Sequence, residues 1–473
     1  MNLPLALLQS LQGVAGFDEK AFSAVHESGE QVTSIRLNPA KKIAAIEQQR
    51  NEPLAKPADD PMQVPGFMSP VPWSSEGYYL LNRPSFTFDP LFHAGTYYVQ
   101  EASSMFLEQA LKQTTDLTAP LRVLDLCAAP GGKSTLLQSL ISKESLLVSN
   151  EVIKSRAAVL EENIIKWGSA NVVVTNNDPA HFSRLENYFD VIVIDAPCSG
   201  SGLFRRDAAA INEWSTNNVQ HCSQRQQRII TDVWPALKQN GVLIYSTCSY
   251  STGEDEAILD WMLDGLMATS KRLVIQPEWG ITESVSAKHN AYGYRFYPDK
   301  TKGEGFFIAA MVKESGGVFT GITAGKAALE QLAVKDATIV NPWLSEDASL
   351  VFFKQKEAII ALPSFLQKEI PVLQSALYIK KAGVTAGKIA GKDFIPDHQL
   401  AVSSLCNKSV TTIALNRQEA IAYLRKEEVN APTTHRGWAA VSYAGHNLGW
   451  VKALPNRMNN YYPKEWRITR QAP

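Results

Sequence analysis

From residue 121 onward, short apolar runs alternate with stretches of helical periodicity. Helical patterns lie between most of these runs, including residues 154–167 and 219–237. Strands that alternate with helices at this spacing are typical of a mostly parallel sheet joined by right-handed crossovers. The pattern therefore predicts an α/β fold for the middle of the chain. The predicted strands are residues 121–126, 145–149, 171–175, 190–195 and 241–246, with a last strand at 305–312.

The region before this unit has mixed patterns. Residues 34–39 indicate a short strand, residues 51–72 a proline-rich loop, and residues 73–88 an aromatic stretch that we expect to pack in a small core. We therefore predict an α+β extension over residues 1–93. Its first segment predicts an amphipathic helix that places four apolar residues on one face, namely Leu5, Leu8, Leu11 and Val14.

The region after this unit is predicted to be rich in β-structure. Residues 313–325 are rich in Gly, Ser and Thr and indicate a linker. Runs at residues 437–443 and 448–452 flank a turn and predict a hairpin, and residues 372–379 and 401–414 also have strand-like patterns. The sequence thus predicts four units, which are residues 1–93, 94–315, 326–395 and 396–473.

Composition excludes several classes of protein. Hydrophobic residues make up 45% of the 473 positions and charged residues 20%, as in globular domains. No apolar run approaches the ~18 residues that a membrane-spanning helix needs. The five cysteines form neither a disulfide framework nor a C-x-x-C zinc pattern. We therefore expect reduced thiols, no disulfide partner, no metal, no membrane association and a cytoplasmic location.

The net charge of −1 conceals an asymmetry. Residues 321–473 contain 19 Lys and Arg against 12 Asp and Glu, so the rest of the chain is acidic. A basic C-terminal region indicates either a polyanionic partner or an ordinary solvated surface.

The sharpest local pattern is a strand–turn–helix corner at residues 121–134. Asp125 ends the central part of an apolar run, and Pro130, Gly131 and Gly132 break it before a helix. Corners of this kind hold ligands in open α/β sheets. A P-loop would need glycine where Cys127 stands, and a dinucleotide G-x-G-x-x-G fingerprint is absent.

S-adenosylmethionine is a third ligand that fits this corner. It needs a close backbone turn, a carboxylate after the second strand for the ribose and a polar group after the third strand for the adenine. Glu151 and Asp178 follow those two strands, at the edge where open α/β sheets bind ligands. We therefore expect this cofactor.

Two further turns carry thiols. Asp195 and Cys198 follow the fourth strand and Cys248 follows the fifth, so a parallel sheet brings both thiols to one edge. A thiolate is the side chain best suited to add to C6 of a cytosine, which activates C5 for methylation. Asp195 could hydrogen-bond N3 and the amino group as charge builds there. This chemistry leaves open which cysteine plays which part.

These motifs resemble those of the RNA cytosine-5 methyltransferases of the Sun/Nop type. The resemblance spans roughly residues 30–315 and rests on residues 95–105, 125–133, 195–200 and 246–249. It implies a Rossmann-like class I methyltransferase sheet. It also implies that Cys248 is the nucleophile, that Cys198 aids product release, and that Lys133 faces the methionine carboxylate or a nearby acidic group. The implied cofactor contacts are Cys127, Ala128, Ala129, Pro130, Gly131, Gly132, Lys133, Glu151, Asp178 and Asp195.

The C-terminal segment at residues 459–466 resembles a bacterial subgroup that acts on small-subunit ribosomal RNA and ends in a PUA-like RNA-binding domain. The resemblance implies RNA as the partner, either 16S ribosomal RNA or the small ribosomal subunit, and an N-terminal extension of RNA-binding type. We expect a monomer. Two alternatives stay open at this stage: a non-catalytic RNA-binding assembly factor that keeps the fold as a scaffold, and a P-loop NTPase.

Overall fold

The computed structural model describes residues 3–43, 67–321, 330–346, 349–429 and 433–470. Most of the proline-rich loop predicted from residue 51 and the end of the predicted linker lie outside the described residues. No helix among the described residues is long and apolar enough to cross a membrane.

The N-terminal region is an α+β unit, as expected. Its strands form an antiparallel sheet in the order β2-β3-β1-β4. The aromatic stretch packs in a core, since Trp73, Tyr79 and Phe88 are buried. The elements are α1 (Leu5–Ser10), α2 (Glu19–Glu27), β1 (Ser34–Leu37), β2 (Phe67–Pro70), β3 (Gly77–Leu80), α3 (Pro90–His93) and β4 (Tyr97–Val99).

The predicted apolar face of the first helix is wrong at one of its four residues. Leu5 is 67% exposed, and Leu7 is buried in its place. The other three residues pack as expected, since Leu11 is buried in a cluster with Phe22 and the partly buried Leu8 and Val14 pack against that cluster. The helix itself is shorter than the predicted segment, because α1 ends at Ser10.

The middle of the chain is the predicted α/β unit. Strands β5 to β9 are paired in parallel, and β13 closes the sheet antiparallel to β9. The elements are α4 (Leu107–Thr114), β5 (Arg122–Asp125), α5 (Gly132–Leu140), β6 (Leu146–Asn150), α6 (Lys154–Trp167), β7 (Val172–Thr175), β8 (Phe189–Asp195), α7 (Ala209–Glu213), α8 (Thr216–Val233), β9 (Leu237–Thr247), α9 (Glu256–Gly265), β10 (Ala268–Lys271), β11 (Thr282–Val285), β12 (Tyr292–Phe296) and β13 (Phe306–Lys313).

The strands of this sheet are apolar because both faces are covered. Val123 of β5 packs in the core layer on one face, whereas the next residue, Leu124, packs in the layer on the other face. The sheet order is β11-β12-β13-β9-β8-β5-β6-β7, so the chain extends from β5 in one direction to β6 and in the other to β8. The carboxyl ends of these central strands form the switch point at which open α/β sheets bind ligands.

The C-terminal region contains two smaller sheets and one strand that joins the large sheet. The elements are β14 (Glu330–Gln331), α10 (Val334–Val340), β15 (Leu350–Gln355), β16 (Ala358–Pro363), α11 (Glu369–Ala376), β17 (Ile379–Ala382), β18 (Val384–Ala390), β19 (Asp393–Pro396), α12 (His398–Val402), β20 (Thr412–Ala414), α13 (Arg417–Arg425), β21 (Gly437–Tyr443), β22 (His446–Ala453) and β23 (Met458–Asn460). The two smaller sheets have the strand orders β14-β15-β16-β18-β19 and β20-β21-β22-β23. Strand β17 belongs to neither and pairs antiparallel with β7 at the edge of the large sheet.

The predicted hairpin is confirmed by β21 and β22. The other two strand-like runs are wrong over most of their length. Helix α11 covers residues 369–376, so the run at 372–379 is helical until β17 begins at its last residue. Helix α12 covers residues 398–402, and within the run at 401–414 only residues 412–414 form a strand, β20. Short apolar runs fit a buried strand and a buried helix equally well, which explains the error at 372–379. The bounds of the four predicted domains stay predictions.

Candidate active site

The corner after β5 has the geometry of an anion-accepting helix terminus. The residue before α5 is Gly131, whose φ of 118° requires glycine, and no side chain caps the helix. Asp125 is buried beneath it, and its Oδ2 accepts a hydrogen bond of 2.7 Å from Ser134. Oδ1 of Asp125 has no hydrogen-bond partner. Burial raises the pKa of Asp125 to about 7.

Two polar side chains of helix α6 hydrogen-bond to the backbone of this turn. Arg156 donates a hydrogen bond of 2.8 Å to the carbonyl of Ala129, and Asn163 donates one of 2.8 Å to the carbonyl of Pro130. A Cβ atom on Gly131 would lie 3.3 Å from Cδ1 of Leu160. The sequence analysis missed Arg156 and Asn163, because a polar residue on a helix carries no signal of a contact with a distant turn.

Lys133 joins the corner to the neighbouring strand. Its Nζ lies 2.7 Å from Oδ2 of Asp195 and 5.3 Å from the centre of the Phe306 ring. Burial opposes the charge of Lys133, but the carboxylates of Asp195 and Asp125 outweigh it and raise the pKa. An acidic group is therefore one partner of Lys133, as expected. A P-loop lysine would instead be available to a phosphate.

The two other predicted cofactor carboxylates lie at adjacent strand ends. Glu151 is buried after β6, where Oε1 accepts a hydrogen bond of 2.9 Å from the backbone N–H of Ile153 and Oε2 lies 3.4 Å from Arg156. Asp178, after β7, accepts one of 3.0 Å from the N–H of Ala180 and lies 3.7 Å from Arg228. The apolar side chains of Val152 and Ile153 are exposed beside Glu151.

The side chain of Asn150 connects the ends of three neighbouring strands by hydrogen bonds. Its Nδ2 donates to the carbonyls of Leu126 and Asn177 at 3.1 and 3.0 Å. Its Oδ1 accepts from the Thr175 hydroxyl at 2.9 Å and from the N–H of Asn177 at 3.0 Å. In the sequence, only its position directly before Glu151 indicated that Asn150 lies at the site.

The two predicted catalytic thiols are in contact. Sγ of Cys198 lies 2.8 Å from Sγ of Cys248, and neither is bonded in a disulfide. The hydrogen bond to Cys248, together with burial, raises the pKa of Cys198 well above its ordinary value. Burial also raises the pKa of Cys127 at the corner. Asp195 accepts a hydrogen bond of 2.9 Å from Ser246, so the carboxylate is held between Lys133 and the strand that leads to Cys248.

A buried carboxylate connects the two cysteine turns. Glu254 accepts hydrogen bonds from the N–H of Ser199 at 2.8 Å, from the Ser199 hydroxyl at 2.5 Å and from the Ser249 hydroxyl at 2.7 Å. Gln226 of α8 donates a fourth at 3.2 Å. Ser199 follows Cys198 directly and Ser249 follows Cys248, so Glu254 fixes both turns. Sequence reasoning missed it, since Glu254 lies in a polar turn with no strand pattern of its own.

The turns also touch through their backbones. The N–H of Gly202 donates to the carbonyl of Cys248 at 2.8 Å, and a Cβ on Gly202 would lie 2.5 Å from the carbonyl oxygen of Gly305. Glycine is therefore required there. Among the described residues there is no group of three or more His, Cys, Asp or Glu side chains that could hold a metal ion.

Comparisons with known proteins match this chain over three ranges. Residues 112–312 match the family model described as 16S rRNA methyltransferase RsmB/F. Residues 3–102 match the N-terminal domain of 16S rRNA methyltransferase RsmF, and residues 410–468 match the methyltransferase RsmF PUA domain.

Several curated proteins are similar over most of their length, and each is named ribosomal RNA small subunit methyltransferase F. The protein from Aeromonas hydrophila is 29% identical over 447 residues, which cover 91% of this chain and 90% of that protein. The protein from Pectobacterium atrosepticum is 28% identical over 428 residues and covers 84% of each chain.

Solved structures share the fold. A methyltransferase homolog protein from Pyrococcus horikoshii aligns with a TM-score of 0.50 and 26% identity, covering 66% of this chain and all of that one. The structure of PH0851 aligns with a TM-score of 0.54 and 21% identity over 66% of each chain. With these matches, the resemblance, the fold class and the enzyme class expected from the sequence are confirmed. The chain is a methyltransferase that is similar to the 16S rRNA methyltransferase RsmB/F family over residues 112–312, and to the N-terminal and PUA domains of RsmF on either side.

Proposed function

We propose that this chain transfers a methyl group from S-adenosylmethionine to C5 of a cytosine in 16S ribosomal RNA, through a covalent bond between Cys248 and C6 of the base. The observation that carries the proposal is the contact of Cys198 and Cys248 at the sheet edge where Asp195 and Lys133 pair. Cytosine-5 chemistry needs a thiol and a carboxyl group together at one base, and this edge provides both.

The corner after β5 fits the cofactor. The N-terminus of α5 has no side-chain cap and suits the methionine carboxylate, while the unpartnered Oδ1 of Asp125 suits the methionine ammonium group. Residues 127–133 would form the turn around it, Glu151 would bind the ribose hydroxyls, and Asp178 would bind the adenine. The cofactor supplies the methyl group. A structure of NSun6 from Pyrococcus horikoshii with SFG, an analogue of S-adenosylmethionine, has this fold at a TM-score of 0.50.

The reaction assigns a role to each catalytic side chain. The Cys248 thiolate adds to C6, and the displaced electron pair makes C5 nucleophilic as N3 takes up a proton. The Asp195 carboxylate accepts hydrogen bonds from this N3–H and from the exocyclic amino group, and N3 gives up the proton when the carbon–sulfur bond breaks. After C5 has gained the methyl group, a base removes the C5 proton. The carbon–sulfur bond then breaks and Cys248 leaves as a thiolate, with Cys198 assisting release.

The proposed substrate rests on the relatives and on the flanking regions. The relatives are named for the RNA of the small ribosomal subunit, and residues 410–468 match a PUA domain. The positive charge of residues 321–473 suits a polyanion. We expect a cytoplasmic monomer that acts on ribosomal RNA or on the assembled small subunit. A scaffold without activity would not need Cys248, Asp195 and the glycine corner, all of which this chain retains.

Bisulfite sequencing of ribosomal RNA from a strain that lacks this protein tests the proposal. We expect one or a few cytosines of 16S ribosomal RNA to lose their protection from conversion. Restoring the gene should restore protection, and a gene encoding Cys248→Ala should not. An unchanged pattern of protected cytosines in the deletion strain would contradict the proposed substrate.

A further inference from the structure

Part of the segment between the RsmB/F match and the PUA match packs against the catalytic unit. The matched ranges end at residue 312 and resume at 410. Within this interval, Leu373 and Leu377 pack in the same core layer as Phe182 and Leu185 of the catalytic unit. Glu369 at the start of α11 accepts a hydrogen bond of 2.7 Å from Arg122 of β5. The interval between the two matches therefore includes residues that pack on the catalytic unit and is not only a linker.

Strand β17 extends this attachment to the ligand edge. It pairs antiparallel with β7, so its first residue, Ile379, lies opposite Thr175, the last residue of β7. Lys380 forms an ion pair of 2.9 Å with Glu161 of α6. The residue before the strand, Tyr378, is consequently placed at the carboxyl end of β7, beside the loop that leads to Asp178.

Tyr378 and that loop exchange several hydrogen bonds. The N–H of Tyr378 donates to Oδ1 of Asn177 at 2.9 Å, and its carbonyl accepts from Nδ2 of Asn177 at 3.0 Å and from the N–H of Asn176 at 3.3 Å. The Asn177 amide therefore binds both backbone groups of Tyr378. The Tyr378 side chain itself is 66% exposed.

The same loop is tied to the ribose end of the proposed pocket. Asn176 donates hydrogen bonds to the carbonyls of Glu151 and Val152 at 2.6 and 3.0 Å. The backbone of Asn177 is held by Asn150 from the other side. Holding a loop in its bound conformation removes an ordering cost from ligand binding.

We infer that the segment 366–382 is part of the cofactor site, and that Asn177 and the backbone of Tyr378 are positioning groups for the adenine end of S-adenosylmethionine. The inference rests on the proposed function. Asn177 acts on the cofactor through the loop that carries Asp178, and the C-terminal segment holds that loop through the backbone of Tyr378.

The variant Asn177→Asp tests this inference, because it keeps Oδ1 for the Tyr378 N–H and removes the hydrogen donated to the Tyr378 carbonyl. We expect the KM for S-adenosylmethionine to rise about tenfold, while kcat at saturating cofactor stays within twofold. Inhibition by S-adenosylhomocysteine should weaken more than inhibition by S-inosylhomocysteine, whose base lacks the adenine amino group.

Asn171→Asp is the matched control. Asn171 is also buried, precedes the other end of β7, and donates its Nδ2 to the carbonyl of Ser145 at 2.9 Å. We expect it to lower the melting temperature without changing the KM. Equal KM values for Asn177→Asp and the unsubstituted chain, or an equal rise in both variants, would overturn the inference. Failure of the unsubstituted chain to bind S-adenosylmethionine in calorimetry would instead overturn the proposed function.

Discussion

The sulfur atoms of Cys198 and Cys248 lie 2.8 Å apart, although 50 residues separate them in the chain. Two parallel strands bring them together, because β8 and β9 pair in register with Asp195 opposite Ser246. Both thiols therefore lie at the edge where the proposed reaction would place the base, and their proposed roles can be separated by substituting each in turn.

Substitution of each thiol should give a different product. Cys248→Ala should abolish methyl transfer, because the proposed reaction begins with a bond from the Cys248 sulfur to C6, and Cys198 acts only in product release. Cys198→Ala should instead accumulate a covalent protein–RNA adduct, visible as a slow band on a denaturing gel. Cys222→Ala is the control, and we expect it to behave like the parent. Adduct with Cys248→Ala and none with Cys198→Ala would reverse the assignment.

Glu254 should act on turnover by positioning both cysteine turns. An amide in Glu254→Gln has one acceptor oxygen and directs an NH₂ group at the donors of Ser199 and Ser249. We expect kcat to fall about a hundredfold, as a displaced reacting group does, with the KM for S-adenosylmethionine within twofold.

A second buried glutamate provides the control for this prediction. Glu108 accepts hydrogen bonds from the Ser74 hydroxyl at 2.9 Å and from the N–H of Ser75, far from the thiols along the chain. Glu108→Gln should lower stability and leave kcat unchanged. Equal losses of kcat in the two variants would show that Glu254 acts only on stability.

Arg36 should stabilise the contact between the N-terminal sheet and helix α5. It is buried, and its guanidinium donates to Gln100 at 2.8 Å and to the Thr135 hydroxyl at 2.6 Å. Arg36→Met leaves those acceptors without a donor, so we expect a loss of about 1–3 kcal/mol in the free energy of unfolding. Urea denaturation measures it. The exposed Arg272, paired with Glu283, is the control, and Arg272→Met should lower the free energy of unfolding by less than Arg36→Met does.

Asp125 should make stability fall as pH rises. Burial raises its folded pKa to about 7, whereas an unfolded aspartate has a pKa of about 3.9. Between these values the unfolded chain releases a proton that the folded chain retains, so this contribution is lost from about pH 4 to pH 7.

The variant Asp125→Asn removes this titration. Without cofactor, the variant should gain about 3 kcal/mol of stability relative to the parent between pH 5 and pH 8. Denaturation at both pH values measures the difference, and the exposed Asp393→Asn serves as control. A difference between parent and Asp125→Asn that does not change with pH would contradict the raised pKa.

The sequence was sufficient for features that depend on local pattern. The apolar runs identify β5 to β9, and their order brings Asp195, Cys198 and Cys248 to one edge, since parallel strands fix the direction of every carboxyl end. The features that it could not supply depend on pairing between distant segments. Nothing in residues 372–379 distinguishes a buried helix from a strand, and nothing near Glu254 or Asn177 identifies the partners that the fold brings to them.

The most direct test of the proposed methyl transfer uses purified protein, cofactor and RNA. The chain is incubated with S-adenosylmethionine that carries a deuterated methyl group and with unmodified 16S ribosomal RNA, either free or in small subunits. The RNA is then digested to nucleosides for mass spectrometry. We expect deuterated 5-methylcytidine with the parent and none with Cys248→Ala. A label in any other nucleoside, or equal 5-methylcytidine from Cys248→Ala, would contradict it.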